Sequence, residues 1–366
     1  MHKVAVFLSR RKPETIKVYK RSLIRFADHV GFTIDTLHEY LEGVPKEKLT
    51  EDLLTFADSL KSMGQNSQRN TVASVMSYIS YNDIVVPKSQ RKQIVPPKGD
   101  IFQDKALSTE EVKRVFEFLP PIGKISLLSL FTTGCRIGEL IQIKESDRKG
   151  KFIHLKGSYT KNGKERDIVM TTECMRYLED IWLPQKQDYL KAAVNRNIGL
   201  IGQSKTPEKK AGVKSLHDDR IIPCTQSTLY EILMRGFHRA GFGDENHKKG
   251  DKYLYHPHGL RKSFRSIVGS LSPDLAETLM GHTGYLNDSY LRYHDIVKEY
   301  EKVEHLLSLN SNAGMNSRVK VLEQEKEDLE NRLKAMERQQ QEILSLMAIF
   351  RDNPDIQREL KARMKQ

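Results

Sequence analysis

The sequence predicts a mainly α-helical protein with one small β-sheet: a helical N-terminal domain, an α+β domain and a C-terminal coiled-coil helix. Three observations predict this class. Apolar residues recur every three or four positions over most of the chain. A single stretch, around Asn162-Gly163, has the pattern of two paired strands. A seven-residue apolar repeat runs along the tail. A chain of 366 residues is also too long for one core, so two or more domains are expected.

The first block, residues 1–87, is predicted to be a helical domain. Pro13 suits a first helical turn, and the apolar residues after it form one amphipathic face. Further helices are expected at 50–63 and 66–82. Residues 88–104 begin KSQRKQIVPPKGD, where paired prolines break a helix, so they predict a basic linker. The apolar residues of the first helix are Ile16, Tyr19, Leu23, Phe26 and Val30.

Residues 105–309 are predicted to form the α+β domain. Ser108 and Glu111 make a capping box that begins a helix, and the apolar run 125–131 predicts a buried one. Strands at roughly 152–157 and 166–170 flank Asn162-Gly163, a pair typical of a type I′ hairpin turn. Residues 203–220 are polar and predict a surface loop. Helices are expected again from about 226 to 308.

The tail, residues 310–366, is predicted to be a linker at 310–317 followed by a coiled coil. A seam of this kind would bring protomers together. The alternative is one amphipathic helix packed against the rest of the chain. Positions a are Val319, Lys326, Leu333, Gln340 and Met347, and positions d are Leu322, Leu329, Met336, Ile343 and Phe350.

Charge and composition limit the class of partner. The chain has 60 Lys+Arg and 48 Asp+Glu, a net charge of +12. Counted along the sequence, residues 1–100 contribute +5, residues 101–300 contribute +7 and the rest contribute 0. This distribution favours a polyanion, nucleic acid before an anionic membrane, although a merely basic soluble protein would have the same charge. No apolar run reaches the roughly 18 residues that a membrane-spanning helix needs.

The cysteines and the N-terminus predict an intracellular, cytoplasmic protein. Cys135, Cys174 and Cys224 are far apart and form no CxxC pair, which argues against a disulfide framework or a zinc ribbon. The first apolar run is too short for a secretory signal.

Two segments place permanent cations where they could meet phosphate. In Thr133-Gly-Cys-Arg-Ile-Gly-Glu-Leu140, Arg136 follows a buried helix and a glycine, and its planar guanidinium suits phosphate oxygens. A purely structural pair with Glu139 is the alternative. Lys161 lies just before the Asn-Gly turn. The alternative is that Lys161 is simply a solvated surface residue, as lysines in turns usually are.

Three further segments supply histidines, a second arginine and tyrosines. In His256-Pro-His-Gly-Leu-Arg261, His258 and Arg261 are three residues apart and share a helix face. His282 follows Gly281, and Tyr290 and Tyr293 come shortly after. The histidines could suggest a metal site, but two arginines beside them would repel a divalent cation.

Taken in order, these segments resemble the active site of the tyrosine recombinases, also called the phage integrase family. The matching pattern is G-x-R-x-x-E-L, a lysine in a hairpin, H-x-L-R, G-H and a later tyrosine. The resemblance covers residues 105–300, and the first block resembles the core-binding domain of that family. The segment G-H-T-G-Y-L-N-D-S-Y is most similar to integrases of archaeal mobile elements.

The resemblance implies a site-specific DNA recombinase that forms a 3′-phosphotyrosyl intermediate without metal, cofactor or ATP. It implies a homotetramer acting on two DNA duplexes that carry a specific target site, in integration or excision of a mobile element. Tyr290 would be the nucleophile, Arg136 and Arg261 the phosphate clamp, and Lys161 the general acid for the 5′ oxygen. His258 would be an acid/base and His282 a hydrogen-bond donor to phosphate.

Two choices stay open from the sequence. The spacing from His282 to Tyr290 is one residue shorter than in bacterial members, and Tyr293 lies on the same helix face as Tyr290, so Tyr293 is the alternative nucleophile. The same site residues would also serve a type IB topoisomerase-like nicking enzyme. A non-catalytic DNA-binding protein on this scaffold is a further alternative.

Overall fold

The computed structural model describes residues 3–99, 103–202, 215–249, 252–282 and 293–352. The chain divides into two compact units, Met1–Phe102 and Gln103–Gln366. As predicted, the described part is mainly helical with a small sheet in the second unit. No described helix has the length and apolarity needed to span a membrane.

The first unit is built from helices packed around their apolar faces. In the helix that begins at Pro13, Leu23 and Phe26 are fully buried, which confirms the predicted amphipathic face. A helix also lies within the segment predicted as a linker, and its Ile94 is buried in the core of this unit. Pro87 and Pro96 flank that helix rather than interrupt it, which is why a short turn of helix forms there. The helices are α1 Lys3–Ser9, α2 Pro13–His29, α3 Leu37–Gly43, α4 Lys46–Ser59, α5 Gln65–Tyr81 and α6 Lys88–Ile94.

The second unit is organised around α8, whose residues are mostly apolar or small and polar and are buried along nearly the whole length. Helix α13 packs against it through Leu260, Phe264 and Val268. The predicted capping box at Ser108 begins α7, with both of its hydrogen bonds formed. The helices are α7 Thr109–Glu117, α8 Pro121–Thr133, α9 Ile137–Leu140, α10 Thr172–Arg176, α11 Leu183–Gly202, α12 Gln226–Phe237, α13 Pro257–Gly269, α14 Pro273–Met280, α15 Tyr293–Glu304 and α16 Ser311–Asp352.

The sheet differs from the predicted two-residue hairpin. Strands β1 (Arg148–Lys149), β2 (Phe152–Leu155) and β3 (Arg166–Val169) are antiparallel, and Leu155 pairs with Arg166. The connection between β2 and β3 is therefore the long loop 156–165. Gly163 has a φ of +74°, but Asn162 has no positive φ, so the type I′ prediction is wrong, because that turn needs both residues there. A second pair, β4 (Lys248–Lys249) and β5 (Lys252–Tyr253), was not predicted.

The tail is one long helix rather than a linker and a helix. Helix α16 runs for 42 residues from Ser311, so the linker predicted at 310–317 is wrong beyond its first residue. That stretch contains Ala313 and Met315, which favour helix, and no proline. All side chains from 326 to 345 are exposed, so this part of the helix does not pack along the rest of the chain.

Candidate active site

Five of the six predicted site residues lie in the described part of the second unit: Arg136, Lys161, His258, Arg261 and His282. The sixth, Tyr290, lies outside the described residues. Four of the five are contributed by the turn after α8, the first turns of α13 and the turn after α14, and Lys161 lies in the β2–β3 loop. Segments distant in sequence therefore supply the site.

Arg136 is positioned by a sharp turn that only glycine allows. Helix α8 ends at Gly134, whose φ is +64°. A Cβ at this position would lie 2.4 Å from Cδ1 of Phe264, so both the backbone angle and the close packing of α13 require glycine. The chain then enters α9 with Arg136 as its N-cap residue, and the Arg136 side chain is 33% exposed.

Glu139 joins this arginine to a second one. Arg136 Nη1 donates to Glu139 Oε1 at 2.9 Å, and Arg166 Nη2 donates to Glu139 Oε2 at 2.6 Å. The Glu139 side chain is only 2% exposed. Burial alone would raise the pKa of Glu139, but the hydrogen bonds and charges of Arg166 and Arg136 outweigh it and lower that pKa. Glu139 is therefore a buried carboxylate held between two cations.

Arg261 connects the two glycine turns. It is 5% exposed and donates to the carbonyl oxygen of Gly134 and, at 2.7 Å, to that of Met280. Its Nη2 also lies 3.1 Å from Nε2 of His282. Burial, together with the nearby charge of Arg136, lowers the pKa of Arg261 to about 10, so Arg261 stays cationic at neutral pH.

His282 is held from both sides of its ring. Arg261 can only donate, so Nε2 accepts from it, and the proton of the neutral ring is assigned to Nδ1. Nδ1 lies 2.5 Å from Glu277 Oε2, and Arg265 Nε donates to the other oxygen of Glu277 at 2.6 Å. The preceding Gly281 has a φ of +68°, and a Cβ there would lie 2.9 Å from Cδ of Arg166. This glycine is therefore needed to bring His282 beside Arg166 and Arg261.

His258 lies in the first turn of α13 with an altered proton affinity. Burial, followed by the positive charges of Arg261, Lys262 and Arg136, lowers the pKa of His258, while Asp104 opposes the shift. The neutral imidazole is therefore favoured near pH 7, which is the form that can accept a proton.

A cavity of about 230 Å³ opens beside Arg136 and His282, and Arg261 and His258 do not line it. Arg136, Arg166 and His282 line one part of it, and residues of the β2–β3 loop line another. Lys161 is exposed and stands between Thr160 and Asn162, both of which line the cavity. The arrangement can hold an anion among fixed cations, with a neutral imidazole and an exposed ammonium group supplied nearby.

Sequence reasoning missed the carboxylates that position the basic groups. Glu277 lies one helical turn before the glycine of the G-H pair. This spacing alone does not indicate a contact with His282. Asp104 contacts Lys262 and lies 3.2 Å from His256 Nε2, although it was assigned to a linker. Across the described ranges, no three His, Cys, Asp or Glu side chains come together as metal ligands.

Comparisons with known proteins give the same class as the motifs. No family model matches the chain. The tyrosine recombinase XerA of Thermococcus onnurineus (strain NA1) is 26% identical over 284 residues, covering 75% of this chain and 83% of that protein. The Tn1549 transposon integrase in complex with transposon right end DNA superposes with a TM-score of 0.51 at 14% identity, covering 82% and 98%. A lambda integrase dimer bound to a COC' core site superposes with a TM-score of 0.50 at 17% identity, covering 78% and 73%.

The solved structures share the fold of this chain, and in sequence the chain is similar to the tyrosine site-specific recombinases over most of its length. The relative is an archaeal XerA protein, in agreement with the archaeal pattern around His282.

Proposed function

We propose that this chain cuts and rejoins DNA at specific sites through a 3′-phosphotyrosyl intermediate, in integration or excision of a mobile element. The observation that carries the proposal is the convergence of Arg136, Arg261 and His282, each held by buried carboxylates or backbone carbonyls. Fixed cations of this kind stabilise the charge that develops on phosphorus without reorganising during the reaction.

Tyr290 is the proposed nucleophile. A free phenol has a pKa of about 10, so only about one part in a thousand is ionised at pH 7, a cost of roughly 4 kcal/mol. Positive charge near the phenol reduces this cost. The neutral His258 takes the proton of the phenol, whose oxygen attacks phosphorus while the bond to the 5′ oxygen breaks. Lys161 gives a proton to that oxygen, leaving a phosphotyrosyl bond and a free 5′ hydroxyl.

The second half of the reaction reverses these steps. A 5′ hydroxyl attacks the phosphotyrosyl bond and releases Tyr290, so the phosphodiester is rebuilt without ATP. His282 serves the phosphate as a donor once it is protonated on both nitrogens, and Glu277 stabilises that imidazolium. The substrate phosphate then takes the place of His282 as a partner of Arg261.

The two basic blocks of the chain are proposed to contact DNA. Residues 1–87 would form a DNA-binding domain, 88–104 a basic connection and 105–309 the catalytic domain, acting as a homotetramer on two duplexes. The Tn1549 and lambda integrases are both described bound to DNA. Residues 1–100 and 101–300 carry net charges of +5 and +7, which would act mainly on phosphates.

Covalent capture tests the proposal and selects the target sequence in the same experiment. A library of duplexes with a randomised core and a nick near its centre is incubated with the protein, and DNA that survives denaturing washes is sequenced. Wild type should enrich one sequence and carry it on Tyr290, located by mass spectrometry. Tyr290→Phe should capture nothing, whereas Tyr293→Phe should capture normally.

Three results would contradict the proposal. Absence of any adduct would reject the phosphotyrosyl reaction, and an adduct that persists in Tyr290→Phe would reject Tyr290. Capture without sequence enrichment, together with relaxation of any supercoiled plasmid, would replace site-specific recombination by a topoisomerase-like activity. Arg136→Ala should remove the adduct and leave the affinity for DNA within about threefold; equal loss of both would remove Arg136 from catalysis.

A further inference from the structure

We propose that α16 pairs with α16 of a second copy of this chain as a parallel, in-register, two-stranded coiled coil. This pairing involves the tail alone and does not depend on the reaction proposed for the active site. The exposed apolar face of this helix then packs against the same face of a second copy of the chain.

The apolar face of α16 is exposed to solvent. Six apolar side chains along α16 are between 47% and 67% exposed, whereas the apolar core residues of both units are buried. Five of the six occupy a or d positions of one heptad repeat. Such a contiguous exposed apolar stripe indicates a surface that binds another protein surface. The six residues are Leu322, Leu329, Leu333, Met336, Ile343 and Leu344.

Helix α16 is long and has little tertiary support. Helix α16 has 42 residues, about 63 Å at 1.5 Å per residue. From 326 to 345 every side chain is exposed, so no tertiary packing stabilises this stretch. Helices without packing partners are marginal in water. A second helix along the seam would supply the missing burial.

Charged residues beside the apolar stripe favour the parallel orientation. In a parallel pair, a g residue faces the following e residue of the other chain. Arg332 at g then faces Glu337 at e, and by symmetry this attraction forms twice. An antiparallel pair that matches a with d positions across the same stripe instead sets Arg332 against Gln339 and Glu337 against Glu330. Like charges at these positions are destabilising.

Polar residues within the seam support a defined register. Lys326 and Gln340 occupy a positions, where a polar residue costs stability but fixes register and the number of strands. When the two helices are in register, Lys326 faces Lys326 of the second copy and Gln340 faces Gln340 of the second copy. Lys326 Nζ also lies 3.8 Å from Glu330 Oε1 of its own chain, so this cation offsets the acidic e position beside it.

Charge-swap variants of the full chain, without DNA, test both pairing and orientation. Sedimentation equilibrium measures the dimer dissociation constant. Arg332→Glu and Glu337→Arg should each raise it about tenfold, and the double variant should return it to within about twofold. Arg338→Glu and Glu327→Arg make the same charge changes at outer positions f and b and should leave it unchanged.

A disulfide measures the register directly. Leu329→Cys at d should cross-link to its own copy under mild oxidation, whereas Glu327→Cys at b should not. The native cysteines are buried, so they give little background. A monomeric wild type, a trimer, failure of the double variant to restore pairing, or absence of the Leu329→Cys cross-link would each overturn the proposal.

Discussion

His282 illustrates how single residues prepare this site. Its ring is fixed by Glu277 on one nitrogen and Arg261 on the other, and Arg265 fixes Glu277 in turn. Burial would raise the pKa of Glu277, but the hydrogen bonds of Arg265 and His282 outweigh it and lower that pKa. Glu277 is therefore a carboxylate at neutral pH and can stabilise a positively charged ring.

We expect Glu277→Gln to slow DNA cleavage by roughly 10- to 100-fold, the usual effect of removing the partner that orients a functional histidine. Binding of DNA should change little, because Glu277 is 5% exposed. Single-turnover cleavage of the captured target measures the rate.

The matched control is Glu301→Gln, which removes a carboxylate from an exposed position in α15. It should leave the cleavage rate unchanged. If Glu277→Gln lowers thermal stability but keeps the wild-type cleavage rate, Glu277 has only a structural role.

At this scale the motifs of the sequence point to Arg136, Arg261 and His282, which lie together in the structure. The sequence did not identify Glu277 or Asp104. Glu277 contacts His282 and Arg265, and Asp104 contacts Lys262 and His256. These contacts form only in the folded chain, so no sequence motif marks either carboxylate.

At the scale of elements, Glu139 and Arg166 hold three segments together. Arg166 lies on β3 and donates from Nε to the carbonyl oxygen of Leu279 in α14 at 2.9 Å, while its Nη atoms reach Glu139 in α9. The side chains of Arg166 and Glu139 are 10% and 2% exposed. Removing one member of such a buried pair leaves the other charge without its partner.

We expect Glu139→Gln to lower the free energy of unfolding at pH 7 by about 3 kcal/mol, measured by urea denaturation. The folded-state pKa of Glu139 lies below its ordinary 4.5. Its stabilisation is therefore complete above about pH 4.5 and is lost as pH falls from there through the lowered value. The difference between wild type and variant should shrink over that range.

Glu179→Gln is the control for this prediction. Glu179 also pairs with an arginine, Arg148, but its side chain is 41% exposed, so the expected loss is under about 1 kcal/mol. A constant difference between Glu139→Gln and wild type from pH 7 to pH 3 would show that the charge of Glu139 is not what stabilises the fold.

The sequence predicts the helices well, because the periodicity of apolar residues determines where they form. It predicts the strands poorly, because pairing between distant residues determines where they begin and end. Helices α2, α5, α7 and α8 follow from apolar spacing and caps. The β2–β3 loop does not, because Asn162-Gly163 favours a tight turn locally while the pairing of Leu155 with Arg166 leaves ten residues, 156–165, between the strands. Strands β4 and β5 have two residues each, too few for any periodicity.

At the scale of the whole molecule, charge separates the tail from the rest of the chain. Residues 319–366 contain ten basic and ten acidic residues and therefore add no net charge. The surplus of +12 lies in the preceding residues. Protein–DNA affinity depends on salt through the number of phosphates that the protein neutralises. A neutral tail and a basic body should therefore contribute to binding in different ways.

We expect deletion of residues 319–366 to leave the salt dependence of DNA binding unchanged while abolishing pairing of the chain. The plot of log affinity against log KCl concentration, measured by fluorescence anisotropy on a short duplex without a target site, should keep its slope within about one unit, since one phosphate contact is worth about 0.9. Sedimentation should show the loss of pairing in the same sample. A slope reduced by two or more would place tail residues on DNA, and the exposed stripe would then belong to a DNA-binding surface rather than to a coiled coil.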